Sequence, residues 1–466
     1  MSEQTAYVDK RIPVYPRSVK GAFRNLKTAI LVFAYGVYFI LPWLPWNRET
    51  GPSQTILFDI ENRRFYIFDL VVYAQDIFWL AGFLIIGAFL LFFVTGILGR
   101  VFCGYFCFQT LWTDVFIFIE RLIQGERNAR IKLAKSDWNA RKYFLKISTW
   151  LAWLLVSFWT GLSFTLYWGE AGQLVTDIFT GQAPFPAYAT TLFLTLTTLV
   201  MAGLAREQVC TYMCPYARFQ GAMFDQDTLV VAYDEIRGER SQARTKPTKE
   251  NLPHDFRVNN EIGDCIDCGY CVQVCPVGID IRNGLQYQCI SCALCIDACN
   301  TMMDTIKYPR GLIKYTSEAQ QANNKHNWFK LKNIGYALAL IIVTSVLVSA
   351  IFNRQGSELH VQQTRQPLYI TLSDGYIQNR FSIKVFNKQD KPQDYALITS
   401  GLEHARIEVK PSGHFTVESG QSITLNARVS VDPELVKDEQ EIFQFVLVNR
   451  NSKNRIAVDA QIFLPE

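Results

Sequence analysis

Residues 265–276 read Cys265-Ile-Asp-Cys268-Gly-Tyr-Cys271-Val-Gln-Val-Cys275-Pro276, and residues 289–300 read Cys289-Ile-Ser-Cys292-Ala-Leu-Cys295-Ile-Asp-Ala-Cys299-Asn300. Both follow the spacing C-x2-C-x2-C-x3-C, and the second copy lacks only the closing proline. A tight C-x2-C-x2-C turn aims three thiolates at one iron–sulfide cube, while the fourth cysteine points away to the partner cube, as in two-cluster bacterial ferredoxins. The expected sets are Cys265, Cys268, Cys271 with Cys299, and Cys289, Cys292, Cys295 with Cys275. Zinc is the competing reading, because C-x2-C pairs also build zinc ribbons. A ribbon uses two pairs of thiolates, whereas a third evenly spaced cysteine occurs here twice, so two [4Fe–4S] clusters are expected. Gly269 and Gly278 allow close backbone approach, and Pro276 stiffens the exit of the last ligand.

Outward from this segment the chain becomes apolar. Of 466 residues, 49% are hydrophobic and 19% charged, the latter below the roughly 25% of an ordinary soluble domain. Five stretches, about 28–46, 77–99, 144–168, 187–204 and 333–352, reach the length of about 20 apolar residues that a bilayer requires. No small-residue cleavage site follows the first, so no removable signal peptide is expected. The apolar run 109–123 is shorter, and Asp114 and Glu120 mark it as an interfacial or packed helix with a solvated acidic face. Basic residues orient the spans. Lys10, Arg11, Arg17, Lys20, Arg24 and Lys27 precede the first, and Arg121 to Lys146 crowd the segment between the second and third. The loop 169–186 has no Lys or Arg. Alternation puts the N-terminus and the double-cysteine segment in the cytoplasm, and the tail outside.

All twelve cysteines fall on the cytoplasmic side of that topology, where thiols stay reduced, so a disulfide framework is not expected. The five histidines, His254, His326, His360, His404 and His414, lie outside the long apolar runs. Axial ligands for a membrane haem are therefore missing. A net charge of +4 gives no argument for nucleic acid.

The other four cysteines form a second repeat. Arg100 is followed by Cys103-Gly-Tyr-Phe-Cys107, and Arg206 by Cys210-Thr-Tyr-Met-Cys214-Pro215, each just past the inner end of a span. If helix continues there, the i, i+4 spacing puts both sulfurs on one face. Three readings compete: a redox-active soft-metal site, a reversible dithiol, and small core residues. Duplication argues against the last. Arg100, Arg206 and Arg218 would lower the thiol pKa values.

Beyond about residue 354, apolar residues alternate with polar ones: Phe381, Ile383, Val385; Ala405, Ile407, Val409; Ile423, Leu425, Ala427, Val429; Phe443, Phe445, Leu447; Ile456, Val458, Ala460, Ile462. This reads as an immunoglobulin-like β-sandwich without the antibody cysteine bridge. The external histidines, with no His-x-His pair, read as surface residues. The fold class is thus mixed: a polytopic helical membrane domain over 1–224, a charged solvated linker over 225–258, a double ferredoxin segment over 259–310, a connector and fifth span over 311–353, and the sandwich over 354–466.

This combination resembles the CcoG/FixG (RdxA-type) family of cytochrome c oxidase accessory proteins over nearly the whole chain. The specific stretches are Gly99-Arg-Val-Phe-Cys-Gly-Tyr-Phe-Cys-Phe-Gln-Thr, Cys210-Thr-Tyr-Met-Cys-Pro-Tyr-Ala-Arg-Phe-Gln and Tyr233-Asp-Glu-Ile-Arg-Gly-Glu. Phe108 departs from the family's usual proline, which puts the loop geometry there in question. The resemblance implies reduction of Cu(II) to Cu(I) during assembly of a cbb-type oxidase, with Cys103, Cys107, Cys210 and Cys214 binding transient copper. Copper-delivery proteins, oxidase subunits and an electron donor would be its partners, and a homodimer is left open. Two other classes compete: a quinol-linked membrane electron conduit, and a non-enzymatic assembly or docking factor in which the clusters are structural.

Overall fold

The computed structural model describes residues 14–48, 51–73, 76–242, 244–322, 327, 330–389, 391–402, 405–433 and 440–464; Lys10, Arg11, His326 and His404 lie outside them. Two compact units form: Met1–Pro45, Gln54–Phe68 and Phe78–Ser345 make one, and Trp46–Ser53, Asp69–Ile77 and Val346–Glu466 the other. The membrane helices and the cysteine-rich segment, which the sequence separates by a linker, therefore pack as one body.

That first unit opens with α1 (Ala22–Ile40), followed by the short strands β1 (Ile56–Asp59) and β2 (Arg64–Ile67); the third short strand, β3 (Leu70–Tyr73), belongs to the other unit. Then come α2 (Ile77–Leu98), α3 (Val101–Tyr105), α4 (Phe108–Gln124), α5 (Arg127–Lys135), α6 (Ala140–Thr165), α7 (Ala171–Thr180) and α8 (Phe185–Thr198). Two π-helical pieces, Leu199–Ala205 and Val209–Met213, lead to α9 (Pro215–Ala222). In the cysteine-rich segment β4 (Val230–Tyr233) pairs antiparallel with β5 (Ile313–Thr316). Between them lie α10 (Glu235–Glu239), α11 (His254–Asn259), α12 (Tyr270–Gln273) and α13 (Leu294–Ile306); α14 (Glu318–Gln321) and α15 (Leu331–Phe352) follow.

Among the described residues six stretches are long and apolar enough to cross a membrane, one more than the sequence predicts. The addition is Val101–Gln124, half of whose most apolar window is buried in protein. It is two helices, broken at Phe106 and Cys107. The Tyr105 hydroxyl, before α4, donates to the Cys292 carbonyl at 3.1 Å. Glu126, after α4, accepts from the Ser18 hydroxyl at 2.9 Å. Both ends of α4 thus stay with the N-terminal arm and the cysteine-rich segment. Its acids are not solvated, contrary to expectation. Asp114 accepts two hydrogen bonds from Arg24 at 2.9 Å, and Glu120 pairs with Arg206 at 3.0 Å and Arg130 at 3.3 Å. Charges inside a packed bundle persist only when paired.

The charged stretch expected as a solvated linker is folded too. Asp234 caps α10 by accepting from the Arg237 N–H at 3.0 Å, and Arg237 Nε donates to buried Asp264 at 2.7 Å. Arg257 is fully buried and donates to the carbonyls of Gly263 at 2.5 Å and Thr245 at 2.7 Å. A guanidinium fork can satisfy several carbonyls at once, which is why this basic run wraps the segment instead of leaving it.

The second unit is the β-sandwich. One sheet holds β6 (Ser357–Gln363), β7 (Ile370–Thr371), β8 (Ile377–Asn387), β10 (Arg406–Lys410) and β12 (Ser422–Val431). The other holds β9 (Gln393–Ser400), β11 (His414–Val417), β13 (Gln440–Asn449) and β14 (Arg455–Phe463), in the order β11-β9-β13-β14. Antiparallel register sets Phe445 opposite Val458 and Leu425 opposite Ile383, and the alternating residues predicted from sequence form the core or pack against it, except Ile407, which is exposed. At the edge of this unit Asp76, 1% exposed, binds Lys388 at 2.6 Å and Arg354 at 3.0 Å. Replacing Asp76 by Ala leaves a buried ammonium short of a partner and is expected to cost on the order of 3 kcal/mol. Thermal unfolding of full-length protein checks this, and Lys388→Met in the Asp76→Ala background should recover part of the loss.

Candidate functional site

The two C-x2-C-x2-C loops share one backbone recipe. Asp267 and Gly269 flank Cys268 with φ of 50° and 63°, and Ser291 and Ala293 flank Cys292 with φ of 51° and 58°. Three of these four are not glycine and hold a conformation uncommon for side-chain-bearing residues. Left-handed residues in such turns make concave nests of N–H groups that suit anions, which is what a cube with thiolate ligands is. At Gly278, φ 79°, a Cβ would stand 2.8 Å from Val14 Cγ2. Gly269 has open space around it, so there the dihedral rather than close approach favours glycine, although Ala293 adopts it in the second loop.

Two cavities result. One is lined by Cys265, Cys268, Cys271 and Cys299. The other is lined by Cys275, Cys289, Cys292 and Cys295, with Cys271 at the wall between them. Val231, Ile281, Leu312 and Ile313, all nearly inaccessible, supply apolar walls. Among the described residues no three His, Cys, Asp or Glu side chains gather closely enough to hold a single metal ion. The thiols surround space instead, which fits a polynuclear group. Burial pushes the thiols of Cys271, Cys275 and Cys299 up to about 12 and that of Cys289 up to about 11. Four thiolates cannot share either cavity without cationic metal to compensate them.

Of the four remaining cysteines, Cys103 packs against Ile290 and Cys292 of the second cavity's wall, and Cys210 lines a cleft that shares Ile290. Cys103 lies in α3, and Cys107 is extended (φ −64°, ψ 125°) at the N-cap of α4. Cys210 lies in a π-helical turn, and Cys214 is extended (φ −81°, ψ 110°) at the N-cap of α9. Helix therefore does not continue through either pair, and the one-face expectation is corrected. Pro215 explains the second break, since the residue before proline avoids the helical region. The first copy, with Phe108 in place of proline, also breaks with its second cysteine extended. The four thiols are electrostatic neighbours. The arginines do not activate Cys210: burial pushes it up to about 12, with Cys107 and Cys103 adding to the rise and Arg100 only partly opposing it. Arg206 is committed to Glu120, and Arg218 is exposed.

Cys103 packs in one buried group with Ile290 and Cys292. The contact needs Gly104, because a Cβ there would stand 2.7 Å from the Ile290 carbonyl oxygen and 3.0 Å from Cys292 Cα. Gln220, fully buried, accepts from the Cys103 thiol at 3.0 Å and from Arg100 Nε at 3.3 Å, and donates to the Thr95 hydroxyl at 3.3 Å. The residue that orients the first thiol pair thus comes from the helix after the second.

Comparison with known proteins agrees with this arrangement. Family models for a 4Fe-4S dicluster domain match residues 205–318, for a 4Fe-4S binding domain residues 80–124, and for the IG-like fold at the C-terminus of FixG residues 347–465. The chain is 42% identical to protein RdxB of Cereibacter sphaeroides over 427 residues, covering 89% of this chain and 88% of that one. It is 34% identical to the nitrogen fixation protein FixG of Rhizobium meliloti, covering 98% and 94%. The chain belongs to the FixG/RdxA family. A crystal structure of a FixG-related protein from Vibrio parahaemolyticus covers 24% of this chain and all of its own, at 21% identity and a TM-score of 0.23.

This FixG-type chain is thus a multi-pass membrane iron–sulfur protein of electron transfer. Sequence reasoning quoted Gly104 and Gln220 inside its motifs without giving them roles. The glycine between two cysteines was the available signal; nothing local marks Gln220, whose role depends on a contact 117 positions away. Gly104→Ala should leave iron content near wild type, because no cavity residue changes. It should push α3 off Cys292, and thiol-labelling rates of Cys103 should rise about tenfold, the scale of a 1.4 kcal/mol loss in packing.

Proposed function

We propose that this protein reduces Cu(II) to Cu(I) at Cys103, Cys107, Cys210 and Cys214, on the cytoplasmic side of a bacterial inner membrane, during assembly of a cbb-type oxidase. The observation that carries the reading is the packing of Cys103 against Cys292, with Gly104 permitting backbone contact. It sets soft sulfur donors beside a cysteine-lined cavity. Cys265, Cys268, Cys271 and Cys299 would hold one [4Fe–4S] cluster, and Cys275, Cys289, Cys292 and Cys295 the other. Bound clusters supply one-electron chemistry. Substrate Cu(II) gains one electron from an external one-electron donor and becomes Cu(I), which thiolates stabilise. Copper-delivery proteins or oxidase subunits would receive it.

A quinol-linked conduit is the second reading. A cleft lined by Lys27, Asp114, Cys210 and Pro276 is the place beside Cys210 where a quinone headgroup would have to enter. Adding Cu(II), or a quinone, to anaerobically reduced protein separates the two. Oxidation with Cu(I) formation supports copper, and oxidation by quinone alone supports the conduit.

Anaerobically purified protein should carry about eight iron and eight sulfide per chain; reconstitution that never exceeds four iron refutes two cubes. Cys210→Ser with Cys214→Ser should abolish most copper reduction while iron stays near wild type, because hydroxyl oxygen is a poor Cu(I) ligand. Because the Cys210 thiol is held up to about 12, it is protonated near neutrality and must release its proton on metal binding. Copper affinity should therefore rise with pH, about tenfold per unit for each thiol deprotonated; equilibrium competition with a Cu(I) chelator at several pH values checks the sign.

A further inference from the structure

The first turn of α1 has no cap of its own: Gly21 is the N-cap, and no acid lies in the turn. The opening N–H groups of a helix nevertheless need acceptors. Two find one far away in sequence. Asp297 accepts from the Arg24 N–H at 2.8 Å and the Phe23 N–H at 3.4 Å. Asp297 is 5% exposed and stands in α13 two residues after Cys295 and two before Cys299. Those cysteines line different cavities, so the carboxylate is close in sequence to a wall of each. Fit around it is tight, because a Cβ on Gly21 would fall 2.2 Å from Asp297 Cγ. The adjoining residues extend the contact: the Phe23 ring meets Tyr315 of β5 at 5.7 Å between centroids. Arg24 sends its side chain to Asp114 in α4.

We propose that Asp297 is a positioning residue with two effects. It fixes α13, and with it both cavities, in register with the first membrane helix. Its negative charge also lowers the reduction potential of the clusters. The second effect rests on the iron–sulfur reading, and the first does not. A buried carboxylate opposes the arrival of an electron nearby, because the low-dielectric interior screens it weakly. The α1 terminus supplies partial positive charge that keeps the carboxylate tolerable there.

Three variants of the full-length chain test this. Asp297→Asn retains an acceptor oxygen but removes the charge. Asp297→Ala removes both, and Gly21→Ala displaces the carboxylate while keeping its charge. The tie predicts that amide hydrogen exchange over residues 22–26 rises about tenfold in Asp297→Ala and Gly21→Ala but stays near wild type in Asp297→Asn. The charge effect predicts, in an EPR-monitored redox titration of Asp297→Asn at wild-type iron content, a rise in potential equivalent to about tenfold in the reduction equilibrium, or about 59 mV for one electron. Unchanged exchange in Asp297→Ala overturns the tie, and an unchanged potential in Asp297→Asn overturns the charge effect. Wild-type protein that takes up no iron refutes the iron–sulfur reading instead, and the exchange comparison still decides the tie.

Discussion

Backbone-to-backbone contact between α3 and the Ile290–Cys292 turn is the constraint on which the first unit depends. It is possible only where one residue has no side chain, and Gly104 supplies that gap between two cysteines. From it follow the seating of the Tyr105 hydroxyl on the Cys292 carbonyl and the burial of Cys103 beside a cavity wall. Helix α4 then has to start where it does. The paired carboxylates inside the bundle accommodate what this geometry buries. Asp114 and Glu120 face Arg24, Arg130 and Arg206 because helix, arm and loop converge there, not because a surface needed charge.

The two kinds of cysteine site differ in how they are made. In the double segment, spacing and local dihedrals do most of the work, so the eight cysteines arrange themselves within about 35 residues. Each short loop twists its own backbone around the central cysteine, and the last cysteine of each motif crosses to the neighbouring cavity. The membrane thiols are assembled from distant parts. Cys103 depends on Gln220, Gln220 on Thr95, and Arg206 on Glu120. Such a site is held by tertiary packing and falls apart if one helix moves.

That contrast explains what could be read from the sequence. The ferredoxin-type repeat, the apolar spans and the alternating strands β8, β12, β13 and β14 were legible because each carries its periodicity within itself. The charged stretch before the repeat was misread as a linker, since composition does not say that Arg237 and Arg257 will find Asp264 and buried carbonyls. Val101–Gln124 was shortened because its acids suggested water, whereas their arginine partners lie elsewhere in the chain. Strands β9 and β11 escaped because Gln393, Asp394 and His414 interrupt the pattern, while register against β13 fixes β9 regardless. Spacing alone leaves open whether helix runs through the thiol pairs; it ends in both copies, before proline in one and without it in the other.

Of the twelve cysteines, all among the described residues, Cys268 alone is exposed. Its cavity opens toward solvent at that sulfur, whereas Cys292 and Cys295 stand behind Ile290, Leu294 and α3. The two halves of a nearly symmetric motif thus meet dioxygen on unequal terms. A cluster held at Cys268 would have the solvent-exposed ligand through which dioxygen reaches it first. The half nearer the membrane thiols has its cysteines turned inward, behind the bundle it serves.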